Sequence, residues 1–344
     1  MRVGVLGGGQ LGRMLGLAGA RLGVEIRYFD PAPDACAAVV GEHVCASYGD
    51  TDALQRFASG LDVATFEFEN VPVAAVRRVL ETVQVRPSIA ALTASQDRVE
   101  ERAALTTAGA TTPASAPVGS FDDLENAVRE VSLPGFLKAR RGGYDGKGQR
   151  RIEKASDLAG AWRQINAPAI YDAHIAFDRE LSQVSVRAAD GSVAHYPLVE
   201  NVHEKGILRR TTAPAQGVTE NQAAHARHVL ERLLQRLDIV GVAAAEFFEI
   251  DGALIANEFA PRVHNSGHWT MDGAATCQFE NHLRAILGWP LGSTEVVRPT
   301  VMENLIGEAP NLPALLADPT AKVHLYAKAA RPGRKIGHIN RPRA

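Results

Sequence analysis

The sequence predicts an α/β protein that begins with a doubly wound parallel sheet and ends in a small β-rich segment. Three observations carry this. Over the first hundred residues, short β-prone runs alternate with helical patterns, as strands and crossover helices of a parallel sheet do. Residues 242–265, VAAAEFFEIDGALIANEFAPRVHN, hold two β-prone runs around the turn dipeptide Asp251-Gly252, which reads as an antiparallel hairpin. From about Pro290 the chain is rich in Pro and Gly and reads as small strands and loops.

Taken in order, Val3–Leu6, Glu25–Asp30, Val63–Phe68 and Val83–Arg86 read as strands, with helices at Gln10–Leu22 and Val73–Leu80. A helix over about Ser95–Ala108 leads into a Thr/Pro/Ala-rich connector, Thr111–Pro117, which marks a boundary. Beyond it come a helix at Phe121–Val131, a strand at Gly135–Ala139, a Gly-rich loop at Gly142–Gly148, a helix near Ala155–Ile165 and a strand at Ala169–His174. Several antiparallel strands, a long helix at Asn221–Leu237, the hairpin and a helix at Thr276–Leu287 complete the pattern.

A chain of 344 residues, 46% hydrophobic and 22% charged, has ample core for two or three domains of a soluble enzyme. The net charge of −2 gives no support to a nucleic-acid or anionic-membrane surface. The cysteines Cys36, Cys45 and Cys277 have no metal-binding spacing, and a reduced cytoplasm fits them. Neither a signal peptide nor a membrane-spanning apolar run is visible, so the expectation is a soluble, cytoplasmic protein.

Glu246 and Glu258 lie on opposite strands of the hairpin. A two-residue loop puts them on opposite faces, whereas a three-residue loop, Asp251 to Ala253, pairs them at a Cβ separation of about 5 Å. Two carboxylates that close repel unless one is protonated or a cation lies between them. Mg²⁺ is a hard ion that takes carboxylate and phosphate oxygens together.

Gly7-Gly8-Gly9-Gln10-Leu11-Gly12 follows a strand and opens a helix, and Asp30 ends the next strand. That pattern suits a dinucleotide, a sugar phosphate or tight packing alone. Lys138 ends an apolar strand before Arg140-Arg141-Gly142-Gly143-Tyr144-Asp145-Gly146-Lys147-Gly148-Gln149, a loop whose amides and cations could cover phosphates. Its alternative is a solvated basic turn, although a strand lysine needs an anionic partner. Arg262, His264 and Asn265, just past Glu258, could orient an oxyanion, with His203 and His268 as additional candidates. Lys328, Arg331, Arg334 and Lys335 form either a phosphate clamp or a solvated basic tail.

Together, GGGQLGRM, FEFENVP, QDR at Gln96–Arg98, GGYDGKGQ, EKGILRRTTAPA, NEFAPRVHNSGHWT and ARPGRKIGH resemble the ATP-grasp superfamily. Within it they resemble the 5-(carboxyamino)imidazole ribonucleotide synthetase family of purine biosynthesis, nearly end to end. The resemblance implies a pre-ATP-grasp Rossmann-like domain at 1–98, an ATP-grasp domain at 99–290 (lid half 99–175, metal and catalytic half 176–290) and a C-terminal β-rich segment at 291–344 completing the substrate site. It implies the reaction of ATP, 5-aminoimidazole ribonucleotide and bicarbonate to 5-(carboxyamino)imidazole ribonucleotide, ADP and phosphate through carboxyphosphate. It further implies Mg²⁺, with Mn²⁺ as an alternative, and a homodimer.

The resemblance also assigns residues. Arg98 and Lys138 would hold the ATP phosphates beneath the Gly143, Tyr144, Asp145, Gly146, Lys147, Gly148, Gln149 loop. Asp172, Ala173, His174 and Ile175 would read adenine through backbone groups, Glu180 would bind the ribose, and His203 would lie near the nucleotide. Glu246 and Glu258 would hold the metal with Asn257 beside them. Tyr144, Asp145, Arg262, His264 and Asn265 would shape the bicarbonate and aminoimidazole site, Asp145 handling the amine proton. Gln10, Leu11, Lys328, Arg331, Arg334 and Lys335 would take the sugar phosphate. Ala260 stands where many ATP-grasp enzymes carry a metal-strand Asn, and Asp172 is one methylene shorter than the family's Glu. Two other readings remain at this stage: an oxidoreductase built on Gly7–Gly12 and Asp30, and a catalytically silent ATP-binding protein.

Overall fold

The computed structural model describes residues 1–143 and 148–343. Its strands form three sheets. The first is parallel, in the order β3-β2-β1-β4, from β1 (Arg2–Leu6), β2 (Glu25–Phe29), β3 (Glu42–Val44) and β4 (Val63–Phe66). The second is antiparallel, in the order β5-β8-β6-β7, from β5 (Ser115–Val118), β6 (Gly135–Ala139), β7 (Gln149–Ile152) and β8 (Ala169–Ala173).

The third sheet has nine strands: β9 (Arg179–Arg187), β10 (Val193–His195), β11 (Val199–Glu204), β12 (Ile207–Ala213), β13 (Gly241–Ile250), β14 (Ala253–Ala260), β15 (Thr300–Ile306), β16 (Lys322–Leu325) and β17 (Lys335–Pro342). Eight of them run in the order β14-β13-β9-β11-β12-β15-β17-β16, with β10 on β9. The α/β class, with a parallel N-terminal sheet, therefore holds. No helix among the described residues is long and apolar enough to cross a membrane.

Several element expectations change. Val83–Arg86 is not a strand: it makes one bridge, Val85 to Ala64, and Pro87, with no N–H to donate, ends the pairing. The helix expected over Ser95–Ala108 is two helices, Ile89–Ser95 and Arg98–Thr107. Asp97 separates them, accepting from the Val99 amide at 3.1 Å as the second helix's N-cap. Part of the connector Thr111–Pro117 belongs to β5. The tail is more regular than its Pro and Gly content suggests, because β15 pairs with β12 over Thr300–Glu303 and with β17 along its length, and so extends the central sheet.

Two cores sandwich the hairpin. On one face Val242 and Ala244 join Val184, Val186, Trp269 and Phe279, and the same core takes Leu11, Met14 and Leu15 from the first helix, Gln10–Arg21. On the other face Ala243, Ala245, Phe247, Leu254, Ala256 and Phe259 pack on Val229, Leu230 and Leu233 of the helix Glu220–Arg236. One continuous apolar body thus ties the first sheet to the central one.

The glycine turn after β1 is filled from within the chain. Buried Glu67 accepts from the amides of Gly9 at 2.9 Å and Gly12 at 3.1 Å, and Asp30 accepts from Gly8 at 2.8 Å. Carboxylates of this chain take the helix-terminal donors that a dinucleotide pyrophosphate would need, so the oxidoreductase reading loses its site. The glycines are needed for this approach: a Cβ on Gly9 would meet Glu67 Oε1 at 2.5 Å, while its φ of −79° suits any residue. Gly9→Ala is therefore expected to cost about 1–3 kcal/mol through displacement of Glu67. Denaturant unfolding should show a lower midpoint with an unchanged m-value.

Candidate active site

The hairpin turn has two residues, Asp251 (φ 48°) and Gly252 (φ 79°), with Ile250 paired to Ala253. Both φ values are positive, as a tight primed turn requires. Unbroken, that register would set Asn257 opposite Glu246 and turn Glu258 to the helix-packed face. Instead the register shifts at Glu246/Phe247, and Glu246 pairs with Glu258. The shift is a β-bulge, with Asn257 and Glu258 together opposing Glu246 between buried Ala256 and Phe259. The carboxylates face each other by a route neither loop length provides.

Burial and the neighbouring Glu258 raise the Glu246 carboxyl to about 7. Two half-buried carboxylates across one bulge suit a hard divalent cation, and the described residues offer no cluster of three or more metal-ligating side chains. That donor set fits a metal completed by phosphate oxygens and water. Around it lie Arg98, whose Nη1 is 3.8 Å from Glu258 Oε2, and His264, whose Nε2 is 3.7 Å from Glu246 Oε1. Burial holds His264 neutral, well below its usual range, with nearby Arg262 adding to the effect. Its Nδ1 accepts from the Ser266 amide at 3.3 Å, so the Nε2 proton faces the carboxylates.

Next in the sheet, Glu180 on β9 lies 2.9 Å from Nδ1 of His203 on β11. Burial opposes charge on His203, but Glu180, Glu246 and Glu258 outweigh it and raise the imidazole. Beneath them Ser182, Asn201 and Thr211 form a buried polar row: Thr211 Oγ1 donates to Asn201 Oδ1 at 2.8 Å, and Asn201 Nδ2 donates to Ser182 Oγ at 2.5 Å. The row holds β9, β11 and β12 in register under the site.

Lys138 lies 2.8 Å from Asp172 Oδ2, which also accepts from Arg102 Nη2 at 3.1 Å. The side chain expected near adenine is therefore a buried counter-ion for two cations, and it ties β6 to β8. Ala173 ends β8, with His174 and Ile175 just beyond, and His174 stacks on Phe136. Gly148 accepts from the Ala139 amide at 2.8 Å, and Gln149 pairs with Lys138. Gly143 is also described, whereas Tyr144, Asp145, Gly146 and Lys147 lie outside the described residues.

At the other end Arg262 pairs with Glu69 and donates from Nη1 to Val263 O at 2.8 Å. Both side-chain polar atoms of Asn265 are buried without a hydrogen-bond partner, an arrangement that suits a bound polar group. Lys328 donates to Gln10 Oε1, closing the tail onto the first helix, and Arg334 donates to Ala329 O at 3.3 Å. The Leu11 side chain is buried in the core, so only its backbone can meet a ligand. Arg331 is exposed, whereas Lys335 begins β17 and acts electrostatically on Glu246 and His264.

The sequence reading passed over four acidic or basic groups. Glu67 and Glu69 sit in the FEFENVP run and take the glycine-turn amides and Arg262. Glu101 accepts from the Phe259 amide at 2.9 Å, and its carboxyl is raised to about 8 by burial and by Glu258. Arg102 reaches both β14 and Asp172. On a helix of ordinary polarity nothing local distinguishes Glu101 and Arg102 from solvent-facing charges.

Comparison with known proteins agrees in extent with this layout. Residues 1–96 match the ribonucleotide synthetase preATP-grasp domain, residues 103–279 the ATP-grasp domain, and residues 300–342 the phosphoribosylaminoimidazole carboxylase C-terminal domain. The N5-carboxyaminoimidazole ribonucleotide synthase of Pseudomonas aeruginosa is 47% identical over 343 residues, covering 98% of this chain and 93% of the relative. Among solved structures, the N5-carboxyaminoimidazole ribonucleotide synthetase of Thermus thermophilus superposes with a TM-score of 0.95 at 48% identity, covering 99% of this chain and 93% of that one. The N5-carboxyaminoimidazole synthase of Aspergillus clavatus, in complex with ADP and 5-aminoimidazole ribonucleotide, does so with a TM-score of 0.92 at 32% identity and the same two coverages.

The raised Glu246 has a sign that can be measured. Its folded value of about 7 exceeds the ordinary 4.5, so the folded protein binds more protons between them and loses stability as pH rises through that window. Without divalent cation, Glu246→Gln should be more stable than the parent by about 1–3 kcal/mol at about pH 8. The gap should close below about pH 4.5, where the glutamate is neutral in both states. Chemical unfolding across pH reads this directly, and a parent as stable as the variant at high pH would contradict the cost of burying the Glu246 carboxylate beside Glu258.

Proposed function

The chain belongs to the N5-carboxyaminoimidazole ribonucleotide synthase family of ATP-grasp ligases, and on that premise we propose that it carboxylates 5-aminoimidazole ribonucleotide. ATP and bicarbonate are consumed, ADP and phosphate are released, and the step belongs to purine biosynthesis. The observation that carries the reading is the Glu246–Glu258 pair, set beside Arg98 and on the sheet face that also holds Glu180 and His203.

Bicarbonate is a poor electrophile. Transfer of the γ-phosphoryl group to one of its oxygens gives carboxyphosphate, and the amine of the ribonucleotide then attacks that carboxyl carbon or the carbon dioxide released from it. Bound between Glu246 and Glu258, Mg²⁺, or Mn²⁺ in its place, would neutralise charge developing on the transferred phosphoryl group.

The chain's own residues supply the rest of the site. Arg98 and Lys138 draw the phosphates to the carboxylate edge, Lys138 exchanging some of its hold on Asp172 for them. The β8 backbone through Ala173, with His174 and Ile175, receives adenine, and Glu180 with His203 receives the ribose. Arg262, His264 and Asn265 orient bicarbonate and the aminoimidazole, and the orphaned Asn265 amide gains partners there. Gln10, Leu11, Lys328, Arg331, Arg334 and Lys335 take the sugar phosphate, at a helix N-terminus where Glu67 holds the amides of Gly9 and Gly12. Asp145 accepts the amine proton, and with Tyr144, Gly146 and Lys147 it helps keep water from the labile intermediate. The domain limits at 98/99 and 290/291 and a homodimer complete the reading. The free cysteines Cys36, Cys45 and Cys277 suit the cytoplasm.

ADP release should require both bicarbonate and 5-aminoimidazole ribonucleotide. Release without the ribonucleotide would make the protein another ATP-grasp ligase, and absence of release would make it an ATP-binding protein only. Glu258→Ala should lower turnover on the order of 10²-fold or more while leaving the circular dichroism spectrum unchanged. Retained turnover would remove Glu258 from the metal site.

A further inference from the structure

We propose that Glu101 and Arg102 are positioning residues that set the reach of Glu258 by gripping β14 on both sides of its bulge. This rests on Glu246 and Glu258 being the metal carboxylates. Among the described residues the strand β14 is an edge of the nine-stranded sheet, paired with β13 alone. Its outward N–H and C=O groups therefore need partners from elsewhere. Those around the bulge are taken in turn. The Ala256 amide donates to Thr111 O at 2.8 Å. Arg102 Nη1 donates to Ala256 O at 3.2 Å and Asn257 O at 3.5 Å. The Phe259 amide donates to Glu101 Oε1 at 2.9 Å.

Glu101 and Arg102, adjacent on the helix Arg98–Thr107, thus hold the residues immediately before and after Glu258. The grip matters because bulge position and side-chain face are linked. If the extra residue moved along the strand, Glu258 would turn toward the core and lose its place opposite Glu246. Arg102 does one thing more. Its Nη2 donates at 3.1 Å to Asp172 Oδ2, which lies 2.8 Å from Lys138 Nζ. One guanidinium therefore links the carboxylate strand to the partner of the lysine read as binding phosphate.

The test uses the full-length protein with Mn²⁺ as a spin probe in the presence of ATP, and amide hydrogen exchange at Phe259 without metal. Glu101→Ala is expected to speed exchange at Phe259 and weaken Mn²⁺ binding by about ten-fold or more. Glu101→Gln keeps an acceptor oxygen and should restore both. Should Glu101→Ala not fold, Arg102→Lys serves instead, because an ammonium cannot span Ala256 O and Asp172 together; the same weakening is expected. A merely structural role would lower the melting temperature and leave Mn²⁺ affinity alone. The proposal is overturned if Glu101→Ala or Arg102→Lys binds Mn²⁺ as tightly as the parent while Glu258→Ala has lost it. Unchanged binding in Glu258→Ala overturns the metal reading itself, and the positioning role with it.

Discussion

Repulsion between Glu246 and Glu258 is the constraint around which the molecule is arranged. Burial first and the neighbouring Glu258 second disfavour charge on Glu246 and raise its carboxyl. The fold holds the two side chains together regardless, with an apolar core on each face of the hairpin and the Ser182, Asn201 and Thr211 row beside it. On the proposed reading, a cation would turn the contact that destabilises the pair into a pair of ligands.

The counterpart beside the first sheet is Glu67. A glycine-rich turn at a helix N-terminus attracts anions in general, and here the chain provides its own. The turn then serves as a rigid floor that packs its helix against the central sheet and presents Gln10 to Lys328 from the tail. Because β15 and β17 are central-sheet strands, the tail's basic residues approach from a fixed direction. The first turn, hairpin and tail are thereby joined by one core, and hairpin and tail also share the central sheet.

Between these ends Asp172 balances the cations. It is buried and paired to Lys138 and Arg102, so the lysine of β6 is oriented by the chain itself. An oriented cation that exchanges one anionic partner for another requires little reorganisation when substrate binds. The shorter side chain, at first a departure from the family pattern, suits a residue whose carboxylate stays within the strand pair.

Much of this was legible in the sequence. The alternation of the first hundred residues and the turn at Asp251-Gly252 are local signals, and apart from Val83–Arg86 they resolved to the expected kind of element. The breaks were less legible. One helix became two at Asp97, and Val83–Arg86 made only a bridge, because caps and strand neighbours decide such limits more than propensity does. The face on which Glu258 lies was not legible at all. Residue identity determined that the hairpin would carry two carboxylates. Only the tertiary structure decided that they meet, because the bulge at Asn257 is gripped by Glu101 and Arg102 from a helix some 150 residues away in the chain, and no period of the strand itself encodes a partner so distant.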